Sequence, residues 1–238
     1  MEQKNSITKS NYNIFKELKL ERKESIHSSM IVAIASHNLE CRNLFFEMLK
    51  NVYHSEVESN IMHKNNNNIE GLIENLKKLE EAINSENYTR WINTEHRLKE
   101  TVGNENRERG RADIWIGNRN KPSYRIIIEN KIDAKDQSHQ LRRYYRYLTG
   151  NERKNAGLFY LCLKKDEESH RKAIKSAEKF HQESKDIDTD YHILTYEHDI
   201  KNWLKDVLSV KDLEPGFKYA VEQYLEIVDL ITQEEKPQ

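Results

Sequence analysis

The chain has 238 residues, 39 Lys+Arg against 40 Asp+Glu, a formal net charge of -1, 36% hydrophobic and 33% charged residues. That is enough chain for one sizeable core under a heavily charged surface. The longest apolar run, Met30 to Ala35, is six residues, far short of the ~20 that span a bilayer. The first ten residues, MEQKNSITKS, hold no apolar core of a secretory signal. The two cysteines, Cys41 and Cys162, lie far apart without metal-ligand spacing, so neither a disulfide scaffold nor a zinc ribbon is expected and a reducing cytoplasm is the expected location.

The chain up to about Tyr53 reads as helix. Ile14, Phe15, Leu18 and Leu20 mark a short first one, and a second runs from Glu24 to Ala35 until Ser36, His37 and Asn38 interrupt it. A third carries Leu44, Phe45, Met48, Leu49 and Val52 on one stripe. The polar stretch 55–68 reads as a surface loop, and Ile69 to Ile83 as a fourth helix with Leu72, Ile73, Leu76 and Leu79 inward. The pattern then shifts to strands: 88–98, 111–116 and the β-branched 124–132, the last two joined by a turn at 118–121 before Pro122. Asp136 and Gly150 bracket a helix over 137–149. The apolar run Gly157 to Leu163 suits a strand buried on both faces. A charged helix over 164–184, a strand over 191–196, a helix over 199–208 and a final helix opened by Pro215 complete the chain, the last with Phe217, Ala220, Val221, Tyr224, Leu225 and Val228 inward. One α/β domain over 1–238 is expected: a mainly helical part at 1–87, a sheet core at 88–163, and helices with a last strand at 164–238.

The hairpin carries the chemistry. Side chains alternate with period two, so Ala112, Ile114 and Ile116 are expected on one face and Arg111, Asp113 and Trp115 on the other. On the second strand Ile127, Glu129 and Lys131 share a face. Glu129 interrupts a run of isoleucines that reads as buried, and carboxylates are seldom buried unless paired or bound to a cation. Two acids on neighbouring strands repel unless something positive sits between them. Oxygen ligands without His or Cys companions select Mg²⁺, Mn²⁺ or Ca²⁺ over zinc. Lys131 lies ~6.6 Å beyond Glu129 along the face, so it would sit beside such an ion, placed to hold or deprotonate a water.

These residues carry a resemblance. Asp113 followed by Glu129-Asn130-Lys131 resembles the D-Xn-(D/E)-X-K signature of the PD-(D/E)XK nuclease superfamily. Gly110-Arg-Ala-Asp113 resembles its G-R-x-D strand, Ile126-Ile-Ile-Glu-Asn-Lys-Ile132 its apolar E-N-K strand, and Gln140-Leu-Arg-Arg-Tyr144 the Q-L-x-x-Y of the following helix. Upstream, Glu24-Ser-Ile-His-Ser28 resembles the E-x-x-H-S helix of one bacterial branch. One departure is Ala112 where the name has Pro, a position without a chemical role. The resemblance implies a restriction-endonuclease-like αβββαβ core, with a mixed sheet of four to five strands flanked by N-terminal and C-terminal helices.

It also implies an activity: a Mg²⁺-dependent endonuclease, Mn²⁺ substituting, that hydrolyses phosphodiester bonds in nucleic acid, DNA ahead of RNA, in restriction, repair or anti-phage defence. Asp113, Glu129 and the Asn130 carbonyl would ligate the ion, and Lys131 would orient or deprotonate the attacking water. An unshifted lysine near ~10.4 is a poor base, so without a lowered pKa its role reduces to orientation and charge stabilisation. Gln140 would touch the water or a phosphate; the alternative is an exposed helical glutamine. Glu24, His27, Ser28 and Ile31 share one helical face, and the resemblance brings Glu24 to the site, binding a second metal or holding Lys131. The bland reading makes Glu24 a capping carboxylate and His27 a satisfied core residue. Glu95 is a further candidate, or a solvated strand carboxylate. The segment 125–154 holds eight Lys/Arg against four Asp/Glu. Within and around it Arg111, Arg142, Arg143 and Arg146, with Arg107 and Arg109, suit phosphate tracking, and Tyr144, Tyr145 and Tyr147 suit stacking or packing. The competing pattern has the helix arginines as its wet side and the tyrosines as core. A single site of this kind cuts one strand, so double-strand cleavage would call for a homodimer. The competing class is a non-catalytic nucleic-acid-binding or protein-interaction module that keeps the fold.

Overall fold

A computed structural model describes residues 12–58, 69–85, 91–102, 105–117, 124–133, 140–149, 154–164, 166, 169, 173 and 191–233. In chain order the elements are α1 (Ile14–Glu17), α2 (Glu24–Ala35), α3 (Leu39–Glu58), α4 (Ile69–Ser85), β1 (Ile92–Val102), β2 (Glu105–Gly117), β3 (Tyr124–Asn130), α5 (Gln140–Thr149), β4 (Lys154–Cys162), β5 (His192–Thr195), a π-turn (Tyr196–Ile200), α6 (Lys201–Ser209) and α7 (Pro215–Gln233). The five strands lie in the order β1-β2-β3-β4-β5. β1, β2 and β3 pair antiparallel, whereas β3, β4 and β5 run parallel. This is the expected mixed sheet flanked by helices.

Strand alternation divides the core in two. Ile126, Ile128, Phe159 and Leu161 pack with Ile31, Phe45, Leu49, Leu76, Trp203 and Tyr224 from the helices on one side. Ile127, Leu158, Tyr160 and Cys162 pack with Leu141, Tyr144 and Leu148 of α5 on the other. β3 and β4 are therefore covered on both faces, which explains their unbroken apolar runs. Gly157 on β4 is required by space: a Cβ there would lie 2.4 Å from both the Phe159 ring and the Tyr53 hydroxyl.

Several expectations are corrected. The short first helix is present over Ile14–Glu17, with Phe15 buried and Ile14 and Leu18 exposed. α3 continues to Glu58, so the loop expected over 55–68 starts out as helix, and its remainder, 59–68, lies outside the described residues. The first strand is described from Ile92 and continues past Leu98 to Val102, Tyr88 to Arg90 lying outside the described residues, and the second begins at Glu105, since pairing with a neighbour extends strands past their apolar alternation. Ala112 joins Trp115 in the α5-side cluster, apart from Ile114 and Ile116. Alternation thus breaks at Asp113. The turn at 118–121, Asp136 with the start of its helix, Gly150 and nearly all of 164–184 lie outside the described residues. Among the described residues no helix is long and apolar enough to cross a membrane.

Candidate active site

Pairing between β2 and β3 runs from Gly117↔Arg125 to Ile114↔Ile128 and goes no further. Beyond it the strands separate, and side chains take over the backbone donors of β3. The Asn130 N–H donates to Asp113 Oδ2 at 2.8 Å. The Lys131 N–H stays with β4, at 2.8 Å from the Leu161 carbonyl. The Ile132 N–H donates to Glu24 Oε1 at 2.7 Å. Asp113 and Glu24, distant in sequence, therefore hold alternate donors of the same segment.

The E-N-K order then follows from period two. Glu129 and Lys131 share the α5 face, where Lys131 Nζ lies 2.6 Å from Glu129 Oε1. Asn130 turns to the opposite face. Its Nδ2 donates to the Glu24 carbonyl at 3.0 Å and to Ser28 Oγ at 3.1 Å, and its Oδ1 accepts from the Tyr196 hydroxyl at 2.9 Å. The start of α2 is stitched to the same segment by a forked ion pair between Arg22 and Asp133. His27 donates from Nε2 to the Glu21 carbonyl at 2.6 Å, which leaves Nδ1 to accept from the Tyr224 hydroxyl at 3.1 Å. Burial lowers its pKa to about 4, so the ring is neutral and structural. The helical face read from sequence thus does two jobs: Glu24 and Ser28 face the β3 exit, while His27 and Ile31 pack inward.

The electrostatics are those of an acidic pair in want of a cation. Glu129 is 1% exposed and its Oε2 has no hydrogen-bond partner among the described residues. Burial, then the charge of Asp113, raises its pKa to about 8 in spite of Lys131 and of the nearby Tyr144 hydroxyl, whose proton goes to the Arg111 carbonyl. Burial raises Asp113 to about 6, with Glu24 and Glu95 adding to the rise and the Asn130 N–H and Lys131 opposing it. Burial alone would lower Lys131, but Glu129, Asp113 and Glu24 outweigh it and hold the ammonium above its ordinary value. The lowered lysine that base catalysis needs is not found: Lys131 is raised. Among the described residues no three His, Cys, Asp or Glu side chains form a metal cage. The donor set is two carboxylates, Asp113 and Glu129, flanking the backbone of Asn130. A hard divalent ion fits it on one observation: the buried, unpartnered Glu129 Oε2 beside a second raised carboxyl.

Around the pair, Gln140 is buried rather than exposed. It donates from Nε2 to the Tyr144 hydroxyl at 2.8 Å, and its own Oε1 has no partner among the described residues. Tyr144 in turn donates to the Arg111 carbonyl at 2.6 Å. Its ring lies 3.1 Å from where a Cβ on Gly110 would be, and Gly110 has φ 127°, a backbone state that glycine adopts readily. Glu95 pairs with Arg111 at 2.5 Å and is partly exposed. Of the helix arginines, Arg146 is exposed and Arg143 half-buried, but Arg142 is 4% exposed and does not belong to a wet face. An arginine's long stem can lie down on a packed surface, so helical position alone does not settle its exposure. Tyr144 and Tyr147 are core and Tyr145 is partly buried. The side chains of Arg107 and Arg109 lie outside the described residues. Sequence reasoning missed Tyr196, which sits in a π-turn that no 3.6-residue periodicity announces.

Against models of known protein families, residues 12–226 match the PD-(D/E)XK nuclease superfamily. No curated protein matches the chain, and no solved structure does.

Proposed function

Because the chain belongs to the PD-(D/E)XK nuclease superfamily, we propose that it is a divalent-metal-dependent endonuclease that hydrolyses phosphodiester bonds in nucleic acid, DNA ahead of RNA. The observation that carries this reading is Glu129: a buried carboxylate with one oxygen on Lys131 and the other without a hydrogen-bond partner among the described residues, next to Asp113. A protein that only bound nucleic acid would have no use for so costly an arrangement.

Asp113, Glu129 and the carbonyl of Asn130 would hold the ion, Mg²⁺ with Mn²⁺ as a substitute. When bound it would supply Lewis acidity toward a phosphate oxygen and neutralise the two acids. Lys131 orients the attacking water and offsets the charge that builds on the phosphate, a role that fits its raised pKa better than proton abstraction. Gln140 Oε1 accepts a hydrogen bond from the same water. Arg111 and Arg146 are exposed and meet phosphates along the strand, with Arg143 beside them. Glu24 acts by holding the Ile132 N–H, which sets the angle at which Lys131 leaves β3. One site cuts one strand, so double-strand products require two copies of the chain. Restriction, repair or defence against phage is the biological setting that suits such an enzyme.

The test is incubation with supercoiled plasmid, linear duplex, single-stranded DNA and RNA, in EDTA, Mg²⁺ or Mn²⁺. Metal-dependent cutting that disappears in Asp113→Asn and Lys131→Ala is expected, the latter still binding nucleic acid. Intact substrates under every condition, with nucleic acid still bound, would replace the enzyme by a binding module.

A further inference from the structure

A cleft of about 560 Å³ lies along β1, with residues of β2, β3 and α5 in its walls. Asn93, Glu95, His96, Trp115, Arg125 and Tyr147 line it. Its walls are flat. The His96 and Trp115 rings stack with centroids 4.3 Å apart and planes at 20°. The Arg125 guanidinium lies over the Tyr147 ring, 5.7 Å from its centroid, and donates to its hydroxyl at 3.2 Å. Trp115 is 1% exposed, yet its indole N–H has no hydrogen-bond partner among the described residues. A buried indole N–H ordinarily finds an acceptor.

The cleft and the acidic pair are built on the same strands. Trp115 is two residues beyond Asp113 on β2, ~6.6 Å along the strand. Glu95 occupies the place opposite Asp113, between the pairs Thr94↔Ile114 and His96↔Ala112. It adopts a left-handed φ of 54°, costly for a residue with a Cβ and retained mainly where function requires it. One residue later, His96 stacks on Trp115 although its partner across the ladder is Ala112. The break in alternation at Asp113 is what brings the imidazole over the indole.

A bare phosphate does not account for this chemistry. Arg97 and Arg125 line the cleft and would suit a phosphate, and Glu95 is already paired with Arg111, but a phosphate leaves the ring walls and the indole N–H unused. A planar heterocycle with donors and acceptors on its edge fits these walls: stacking on the partly exposed His96, whose other side lies on Trp115, with an edge acceptor for the indole N–H and the Asn93 amide at the rim. We propose that this cleft is a nucleobase subsite that takes one unstacked base of the strand whose phosphate lies at Asp113 and Glu129. The inference rests on the nuclease reading and deepens it. Extruding a base from a duplex costs a few kcal/mol, so the enzyme prefers single-stranded, frayed or mismatched substrates over intact duplex.

The experiment walks a single abasic nucleotide through a labelled single-stranded oligonucleotide, in DNA and RNA versions, and measures cleavage by the full chain in Mn²⁺. Stacking of one base is worth ~1–3 kcal/mol. One abasic position at a fixed offset from the cut is therefore expected to slow cleavage by ~5- to 150-fold while its neighbours have little effect. His96→Ala is expected to slow cutting of the intact strand and to abolish the difference between intact and abasic strands. Asn93→Ala is the milder variant should His96→Ala fail to fold, and is expected to shrink that difference. A flat scan, or variants that lose the same factor on intact and abasic strands, overturns the subsite and leaves the nuclease standing. Failure to cut any nucleic acid brings down both.

Discussion

The carboxylate of Asp113 stands in for a missing stretch of strand: its Oδ2 receives the Asn130 N–H at 2.8 Å where the β2–β3 ladder has ended. One side chain thus closes the sheet and faces the Glu129–Lys131 pair. Structure and chemistry at this position are separable by substitution. Asp113→Asn keeps an acceptor oxygen and removes a charge that burial disfavours, so it is expected to fold at least as stably as the parent while losing cleavage. Asp113→Ala strands the N–H and is expected to cost ~1–3 kcal/mol. Denaturant unfolding of the two variants checks this, and equal stabilities would show that the hydrogen bond contributes nothing.

The acidic pair makes the metal-free protein sensitive to pH. Glu129, raised to about 8, and Asp113, raised to about 6, bind protons more tightly folded than unfolded. Their contribution to stability is full near pH 4 and falls as pH rises through those values. His27, lowered from 6.5 to about 4, works in the opposite direction below pH 6.5. Lys131, raised, gives a contribution that is lost only in alkali. The clear window is thus pH 6.5 to 8, where thermal stability in EDTA is expected to drop with rising pH. Mn²⁺ is expected to remove the drop, and Glu129→Gln to flatten it. A parent melting temperature that stays level or rises over that window contradicts the electrostatic account.

Glu24 is a positioning residue through the Ile132 N–H. Glu24→Gln preserves the acceptor, and Glu24→Ala does not. The glutamine variant is expected to retain cleavage within about tenfold and the alanine variant to lose ~10²-fold or more, the scale at which a misplaced reacting group is felt. The difference is expected in kcat rather than KM. Equal loss in both would mean that the charge itself is used, as in binding a second ion.

Tyr196 holds the Asn130 side chain from the face opposite the acidic pair. Tyr196→Phe leaves the side-chain Oδ1 of Asn130 without its donor and is expected to destabilise the fold by ~1–3 kcal/mol. Because Asn130 lends its backbone to the proposed ion site, the affinity for Mn²⁺ is expected to fall as well. Calorimetric titration at a temperature where the variant is fully folded separates this from a merely structural effect, which would leave Mn²⁺ affinity unchanged.

Much of this was legible in the chain itself, because period-two and 3.6-residue patterns record which face of an element is covered. The isoleucines of β3 announced a strand packed on both sides, and Glu129 within them announced a buried acid. The spacing of Glu24, His27, Ser28 and Ile31 put them on one helical face before any contact was known. What alternation could not supply was its own failure at Asp113, opposite a left-handed Glu95, where His96 comes over Trp115. Nor could it supply the meeting of Ser28, Asn130 and Tyr196, which belong to three segments brought together only by packing. Local patterns determine how each segment presents its side chains. Which segments meet at the end of β3, and which buried oxygens are left without partners there, is decided by how the helices close over the sheet.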